Sequence, residues 1–230
     1  LNPILTIGDQ ISSIILKHQN CSEREAKIRA IELMKKVGIP NAESRYDDYP
    51  FQYSGGMRQR IVIAIALSCQ PKILICDEPT TALDVTIQAQ ILKLIKDLQK
   101  EFGYTIVFIT HDLGVVAQMC DEVIVMYAGS ICEQGTADEI FYNPKHEYTK
   151  GLIRSIPTVD NDGEKLQPIS GTPIDLLNMP AGCPFAPRCE NAMKICLHQR
   201  CPRMQINDDH QAACWMTAKE ELEKEGVCNG

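Results

Sequence analysis

Residues 53–67 read Tyr-Ser-Gly-Gly-Met-Arg-Gln-Arg-Ile-Val-Ile-Ala-Ile-Ala-Leu, a Ser-Gly-Gly turn followed directly by the pattern of an apolar helix. Such a turn predicts an anion site, because the first N–H groups of a helix lack internal partners and the helix dipole favours negative charge. Glycine lets the backbone approach a ligand closely. The Ser54 hydroxyl can cap the helix and also donate to a phosphate oxygen. Alone, such a turn is most often an ordinary helix cap, so its interpretation depends on the segments near it in the chain.

An apolar segment that ends in two acids comes shortly after the turn, with residues 71–79 reading Pro-Lys-Ile-Leu-Ile-Cys-Asp-Glu-Pro. The continuous apolar run predicts a strand buried on both faces of a parallel sheet. Ligands bind at the carboxyl ends of such strands. Asp77 could therefore hold Mg²⁺ through its water shell, and Glu78 could orient or deprotonate an attacking water. An Asp-Glu pair alone indicates a solvated turn, but the upstream Ser-Gly-Gly turn favours the catalytic interpretation.

Residues 54–60 resemble the signature motif of ATP-binding-cassette (ABC) ATPases, and residues 73–79 resemble their Walker B strand. The resemblance covers essentially the whole chain. It implies an α/β fold, a partial P-loop NTPase core that is RecA-like with a mostly parallel sheet. A helical subdomain and a cysteine-rich C-terminal extension would accompany this core.

The resemblance also assigns roles to individual residues. Glu78 would be the catalytic base, Asp77 would hold Mg²⁺, and His111, just past the next apolar strand, would be the switch histidine that contacts the γ-phosphate of ATP. The signature turn would contact ATP held by a partner subunit, through Ser54, Gly55, Gly56, Met57 and Gln59. The D-loop, which crosses the dimer interface in this family, would be Ala82, Leu83 and Asp84.

Three later stretches, residues 138–152, 171–177 and 181–189, resemble those that mark the oligopeptide/dipeptide importer subfamily. This implies an ATP-hydrolysing subunit that energises peptide import from the cytoplasmic face of the cell membrane. Its partners would be a second ABC ATPase, identical or paralogous, two membrane-spanning permease subunits and, indirectly, an extracytoplasmic solute-binding protein. Closely similar ATPases serve nickel and other solutes, so the solute stays open.

Composition agrees with a globular protein, since 44% of the 230 residues are hydrophobic and 23% are charged. The net charge of −7 argues against a nucleic-acid partner.

Three domains are predicted: a helical subdomain over 1–52, the later part of the ATPase core over 53–156, and a linker with the C-terminal extension over 157–230. Within the core, alternating helices and strands over 54–140 predict a βαβ pattern.

Five of the eleven cysteines crowd the C-terminal region, at positions 183, 189, 196, 201 and 214. In a cytosolic protein such a cluster favours a metal site over disulfides. The resemblance implies that Cys183, Cys189, Cys196 and Cys214 bind a [4Fe–4S] cluster, with Cys201 as the spare. A zinc site that includes His198 or His210, and unligated cysteines, are the alternatives.

No Gly-x4-Gly-Lys-Ser/Thr run occurs, and the chain contains no Gly-Lys pair. The resemblance places this Walker A loop and the Q-loop glutamine before Leu1. The chain is therefore expected to be an N-terminally truncated subunit that is inactive alone. Two competing hypotheses are a non-catalytic remnant that only binds partners and a soluble ABC-type ATPase of repair or translation. The latter usually carries coiled-coil insertions or tandem cassettes, and the sequence shows neither.

Overall fold

The computed structural model describes residues 1–81, 83–156 and 168–224. The chain divides into two compact units, Leu1–His111 and Asp112–Gly230. Most of the linker expected over 157–170 lies outside the described residues. None of the helices that the structure describes has the length and apolar character needed to cross a bilayer.

Among its described residues, the first unit contains four helices and two strands, with a 3-10 turn at Pro50–Gln52 before the third helix. In chain order they are α1 (Ile7–His18), α2 (Glu23–Lys36), α3 (Gly55–Leu67), β1 (Ile73–Asp77), α4 (Val85–Phe102) and β2 (Thr105–Ile109).

Side-chain caps set the helix boundaries in this unit. Helix α1 begins at Ile7, because the Thr6 hydroxyl accepts a hydrogen bond from a first-turn N–H. Helix α2 begins with the capping box that its Ser-Glu-Arg-Glu sequence predicts: the Ser22 hydroxyl accepts from the Glu25 N–H, and the Glu25 carboxylate accepts from the Ser22 N–H at 2.8 Å.

The N-terminal helices share an apolar core. Its fully buried members include Ile7, Ile11, Ile15, Ala26, Ala30 and Met34. Tyr46 packs against α1, where its hydroxyl lies 2.6 Å from the Ser12 hydroxyl. A Cβ at Gly8 would lie 2.3 Å from the Tyr46 ring, so only glycine permits this approach.

Strands β1 and β2 pair in parallel, from Ile73 opposite Thr105 to Asp77 opposite Ile109. The expectation that β1 is buried on both faces is wrong. Leu74 and Cys76 are buried, whereas Ile73 and Ile75 are 58% and 66% exposed. Successive strand side chains point to opposite faces, so in this chain only one face of the ribbon is covered.

The second unit contains five helices, a 3-10 turn at Ala186–Arg188 and four strands among its described residues. They are α5 (Leu113–Met119), β3 (Glu122–Tyr127), β4 (Ser130–Thr136), α6 (Ala137–Tyr142), α7 (Glu147–Arg154), α8 (Lys194–His198), β5 (Met204–Asn207), β6 (His210–Ala212) and α9 (Trp215–Lys224).

The sheet of this unit is antiparallel, with strand order β3-β4-β6-β5. The expected mostly parallel sheet is therefore wrong for the part of the chain that the structure describes, where only β1 and β2 pair in parallel. The reason is local. Ala128 and Gly129 both adopt positive φ, at 48° and 72°, which makes the tight turn of a hairpin and returns β4 beside β3.

A fully buried histidine fastens β6 to its neighbours. His210 Nε2 lies 2.7 Å from a Glu133 oxygen on β4, and His210 Nδ1 lies 3.0 Å from a Glu139 oxygen on α6. The Glu133 carboxylate also accepts from the N–H groups of Lys145 and His146, at 2.6 and 2.9 Å. The side chains of His210 and Glu133 are both 0% exposed, so their polar atoms depend on these protein partners.

Replacing His210 with leucine is expected to lower the free energy of unfolding of the second unit by about 1–3 kcal/mol, because the buried Glu133 side chain loses one of its three hydrogen-bond partners. Urea denaturation, followed by the fluorescence of Trp215, measures the change. The matched control is His18→Leu at an exposed position of α1. Equal stability of the two variants would contradict this account of the cluster.

Candidate functional site

The Ser-Gly-Gly turn folds as a helix start. Ser54 is extended, at φ −64° and ψ 164°, and its hydroxyl accepts from the Met57 N–H at 3.4 Å. Helix α3 begins at the next residue. The N–H groups of its first turn have no partner within the helix, which gives the turn the electrostatics of an anion site.

The second glycine of the turn is required by packing. A Cβ at Gly56 would lie 2.6 Å from Cγ2 of Ile87 on α4, closer than real contacts allow. Among the described residues, a Cβ at Gly55 would meet Leu83, at the ordinary contact distance of 3.9 Å. The signature-like turn therefore lies against the start of α4 and beside Leu83.

The predicted D-loop is described in part. Ala82 lies outside the described residues. Asp84 is the N-cap of α4, and its carboxylate accepts from the Ile87 N–H at 3.0 Å.

Glu78 leaves the end of β1 in an unusual conformation, with φ at 44°. A non-glycine residue in the left-handed region is uncommon, and such residues cluster at functional sites. The Glu78 N–H donates to the Ile109 carbonyl at 2.9 Å, which fixes this turn to the end of β2. Asp77 precedes it, exposed, as the last residue of β1.

Both oxygens of the Glu78 carboxylate have protein partners. His111 Nδ1 lies 3.0 Å from Oε1, and the Thr81 hydroxyl donates to Oε2 at 2.9 Å. The structure thus brings together Glu78 and His111, which the sequence predicted for one sheet edge. It also adds Thr81, a contact that the sequence analysis missed. A hydroxyl three residues after an acid in a turn is the only signal that could have indicated it.

The hydrogen bond from His111, and then that from Thr81, hold the pKa of the Glu78 carboxyl below its ordinary value. Glu78 is therefore an ionised carboxylate at neutral pH, as an acceptor of a water proton must be. The side chains of Glu78 and His111 are 46% and 78% exposed, so both are open to a ligand and to water.

The four predicted cysteine ligands line a single small cavity. Cys183, Cys189, Cys196 and Cys214 surround a space of about 20 Å³ together with His146 and Trp215, among others. Burial raises the pKa of the Cys189 thiol to about 11. Within the described ranges, no group of three or more His, Cys, Asp or Glu side chains is spaced to hold a metal ion.

Backbone groups face one of these sulfurs. Burial raises the pKa of the Cys183 thiol, while hydrogen bonds from the backbone of Phe185 and Ala186 act in the opposite direction. His210 is bonded to two carboxylates through both ring nitrogens, so the alternative of a site that includes His210 is wrong in this structure. His198 is exposed at the end of α8.

Comparisons with known proteins agree with these motifs. Residues 1–81 match the family model described as ABC transporter, and residues 132–196 match the model described as Oligopeptide/dipeptide transporter, C-terminal region. The chain is 54% identical over 229 residues to the oligopeptide transport ATP-binding protein AmiE of Streptococcus pneumoniae, covering 99% of this chain and 64% of that protein. It is 49% identical to the oligopeptide transport ATP-binding protein AppD of Bacillus subtilis, covering 97% of this chain and 68% of that protein.

Solved structures give the same result for the fold. The protein cbiO1 from Clostridium perfringens superposes with a TM-score of 0.53 at 34% identity, over 60% of this chain and 54% of that one. The dimeric bacterial ABC transporter cassette MJ0796 superposes with a TM-score of 0.52 at 33% identity, over 60% of this chain and 59% of that one. Among the sequence relatives, the chain spans about 64% of the length of the first curated proteins that it matches.

Gly56→Ala is expected to destabilise the first unit by about 1–3 kcal/mol, because the added methyl overlaps the stiff, β-branched Ile87. Gly55→Ala is the matched control, where the open space predicts an unchanged or slightly higher stability. Ile87→Ala should relieve part of the Gly56→Ala cost in a double-mutant cycle followed by thermal unfolding. Additive effects of the two substitutions would contradict the proposed close approach.

Proposed function

Because this chain belongs to the ABC transporter ATPases of the oligopeptide/dipeptide importer type, we propose that it forms part of a subunit that hydrolyses ATP to energise peptide import. The observation that carries the proposal is the Glu78 carboxylate at the carboxyl end of a parallel strand, held by His111 and Thr81 and open to solvent. An ionised, oriented acid at this edge suits activation of a water molecule.

Each residue of the site has a role in the proposed reaction. The turn at Ser54, Gly55 and Gly56 presents N–H groups and a hydroxyl to the phosphates of ATP bound by a second subunit. Glu78 accepts a proton from the attacking water. His111, already beside Glu78, contacts the γ-phosphate. Catalysis of this kind consists mainly of positioning and electrostatic stabilisation, which these contacts provide.

The rest of the proposed nucleotide site comes from the same assignments. Met57 and Gln59 extend the signature contact with ATP, and Ala82, Leu83 and Asp84 form the D-loop at the subunit interface. Asp77 holds Mg²⁺, whose charge offsets that of the phosphates. The side chain of Asp77 has the chemistry that this role requires, because an exposed carboxylate at the strand end can bind the ion through its water shell.

The proposed partners are inferred from the names of the relatives. Proteins described as oligopeptide or dipeptide transport ATP-binding proteins match 94% or more of this chain at 53–55% identity. We assign to the complete subunit a second ABC ATPase, two membrane-spanning permease subunits and, through them, a solute-binding protein. Its place is peripheral, at the cytoplasmic face of the membrane. The domain division 1–52, 53–156 and 157–230 remains part of this proposal.

The test is Glu78→Gln in a full-length subunit assembled with its partners. The amide cannot accept the water proton, so ATP turnover should fall by about 100-fold or more while ATP binding is kept. Glu101→Gln, at an exposed position of α4, is the matched control. Hydrolysis at the parent rate in Glu78→Gln would refute the role of Glu78, and a parent subunit without ATPase activity would favour a partner-binding remnant.

The cysteine cavity supports a second proposal, a structural metal centre of the [4Fe–4S] type with zinc as the alternative. Cys183, Cys189, Cys196 and Cys214 line one cavity, and the backbone of Phe185 and Ala186 faces the Cys183 sulfur. Thiolates are the ligands that iron–sulfur clusters and structural zinc require, and backbone hydrogen bonds to sulfur are a usual part of such sites. The four side chains therefore have the chemistry that such a centre requires, and they line the same cavity. The centre would supply folding free energy to the loops that carry the four cysteines.

Protein purified without oxygen should contain iron and absorb visible light. Serine at any one of the four cysteines should abolish the colour and lower the unfolding temperature. Cys201→Ser is the matched control and should keep the metal. Stoichiometric zinc in place of iron would select the alternative, and protein without either metal would refute the centre.

A further inference from the structure

Arg45 makes contacts on both sides of the Ser54 turn. Its Nε donates to the Asp48 carboxylate at 3.0 Å, and one of its terminal nitrogens donates to the Gln52 carbonyl at 3.0 Å. The other terminal nitrogen lies 3.7 Å from the sulfur of Met57, in the first turn of α3. The guanidinium also lies over the Tyr53 ring, 4.5 Å from its centre.

The contact with Tyr53 is reciprocal. The Tyr53 hydroxyl donates to the Arg45 carbonyl at 2.8 Å, and the Tyr53 ring is buried, at 3% exposed. Arg45 and Tyr53 therefore hold each other through a backbone hydrogen bond and a ring–cation contact. Because Tyr53 precedes Ser54 directly, this pair fixes the point at which the chain enters the turn.

We infer that Arg45 is a positioning residue, which sets the Ser54-Gly55-Gly56 turn at the place where it closes on ATP. This inference rests on the proposed function. Arg45 contacts Gln52 and Tyr53 before the turn and Met57 after it. Its guanidinium therefore links the chain segments on the two sides of the turn. The planar guanidinium of arginine presents several N–H donors in fixed directions and can contact these partners together, whereas the ammonium of lysine is a point charge on a flexible chain.

Burial of the guanidinium supports this role. The side chains of Arg45 and Asp48 are each 24% exposed, so their ion pair is partly shielded from water. The remaining guanidinium contacts are to a carbonyl, a thioether and a ring, which are neutral. Asp48 is thus the partner that orients the guanidinium toward the turn.

The experiment uses the full-length subunit in its assembled transporter, with Arg45→Met, Arg45→Lys and Asp48→Asn, and Arg24→Met on α2 as the matched exposed control. Steady-state hydrolysis should show an apparent KM for ATP that is raised by about tenfold in Arg45→Met, as loss of hydrogen bonds from a charged group predicts. Arg45→Lys and Asp48→Asn should give smaller increases, and Arg24→Met none.

Two further readouts separate positioning from a general loss of structure. Binding of a fluorescent ATP analogue to the subunit that carries the substitution should stay unchanged, because the turn closes on ATP held by the other subunit. The pH profile of kcat should also keep its shape, since Glu78 and His111 are untouched. An unchanged KM in Arg45→Met, or a parallel loss of analogue binding, would overturn the inference.

Failure of the underlying function gives a different result. A parent transporter without ATPase activity, or one in which Glu78→Gln stays active, would refute the proposed function and the inference with it. An active parent whose KM is insensitive to all three substitutions would refute the role of Arg45 alone. If Arg45→Met does not fold, Arg45→Lys and Asp48→Asn decide the question through the same KM measurement.

Discussion

The parallel register of β1 and β2 is the constraint on which the candidate site depends. Asp77 lies opposite Ile109, so the residues just after each strand leave the sheet side by side. The hydrogen bond from the Glu78 N–H to the Ile109 carbonyl extends this pairing by one step beyond the strands. This pairing brings the Glu78 carboxylate within reach of His111, which follows the other strand. A shift of one residue would turn these side chains to the opposite face and disperse the site, although every residue would still be present.

Local chemistry explains why much of the first unit could be predicted from the sequence. The Ser54 cap, the Ser22 capping box and the bounds of α4, from Asp84 to the left-handed Gly103, each depend on a few adjacent residues. The sequence also placed His111 near Glu78, because strand ends of a parallel sheet lie together. The exposed face of β1 was not predictable in this way. An unbroken apolar run looks the same whether or not a partner covers both faces, since coverage is a property of the tertiary structure.

The second unit shows where sequence reasoning failed, and the cause is again physical. Helix–strand alternation suggested one parallel sheet, but it carries no information on which strands pair. The strand β6 pairs with β4, and its His210 lies between carboxylates that are far away in the sequence. A buried polar residue adds nothing to the periodic pattern of hydrophobic residues, so the sequence does not show that it is buried. The four cysteines that the family resemblance implied as ligands line one cavity, whereas the crowding of cysteines in the sequence did not separate them from Cys201. Thr81 and Arg45 were missed, because their importance comes from the direction of a side chain.

The position of β6 in the sheet has a consequence for biosynthesis. Residues 210–212 pair with β4 on one side and with β5 on the other, so one of the two inner strands of the sheet is made late. While the ribosome is still translating toward residue 212, the nascent chain presents β4 with an unpaired edge. Such contacts between distant residues form slowly, and unpaired edges invite association with other chains.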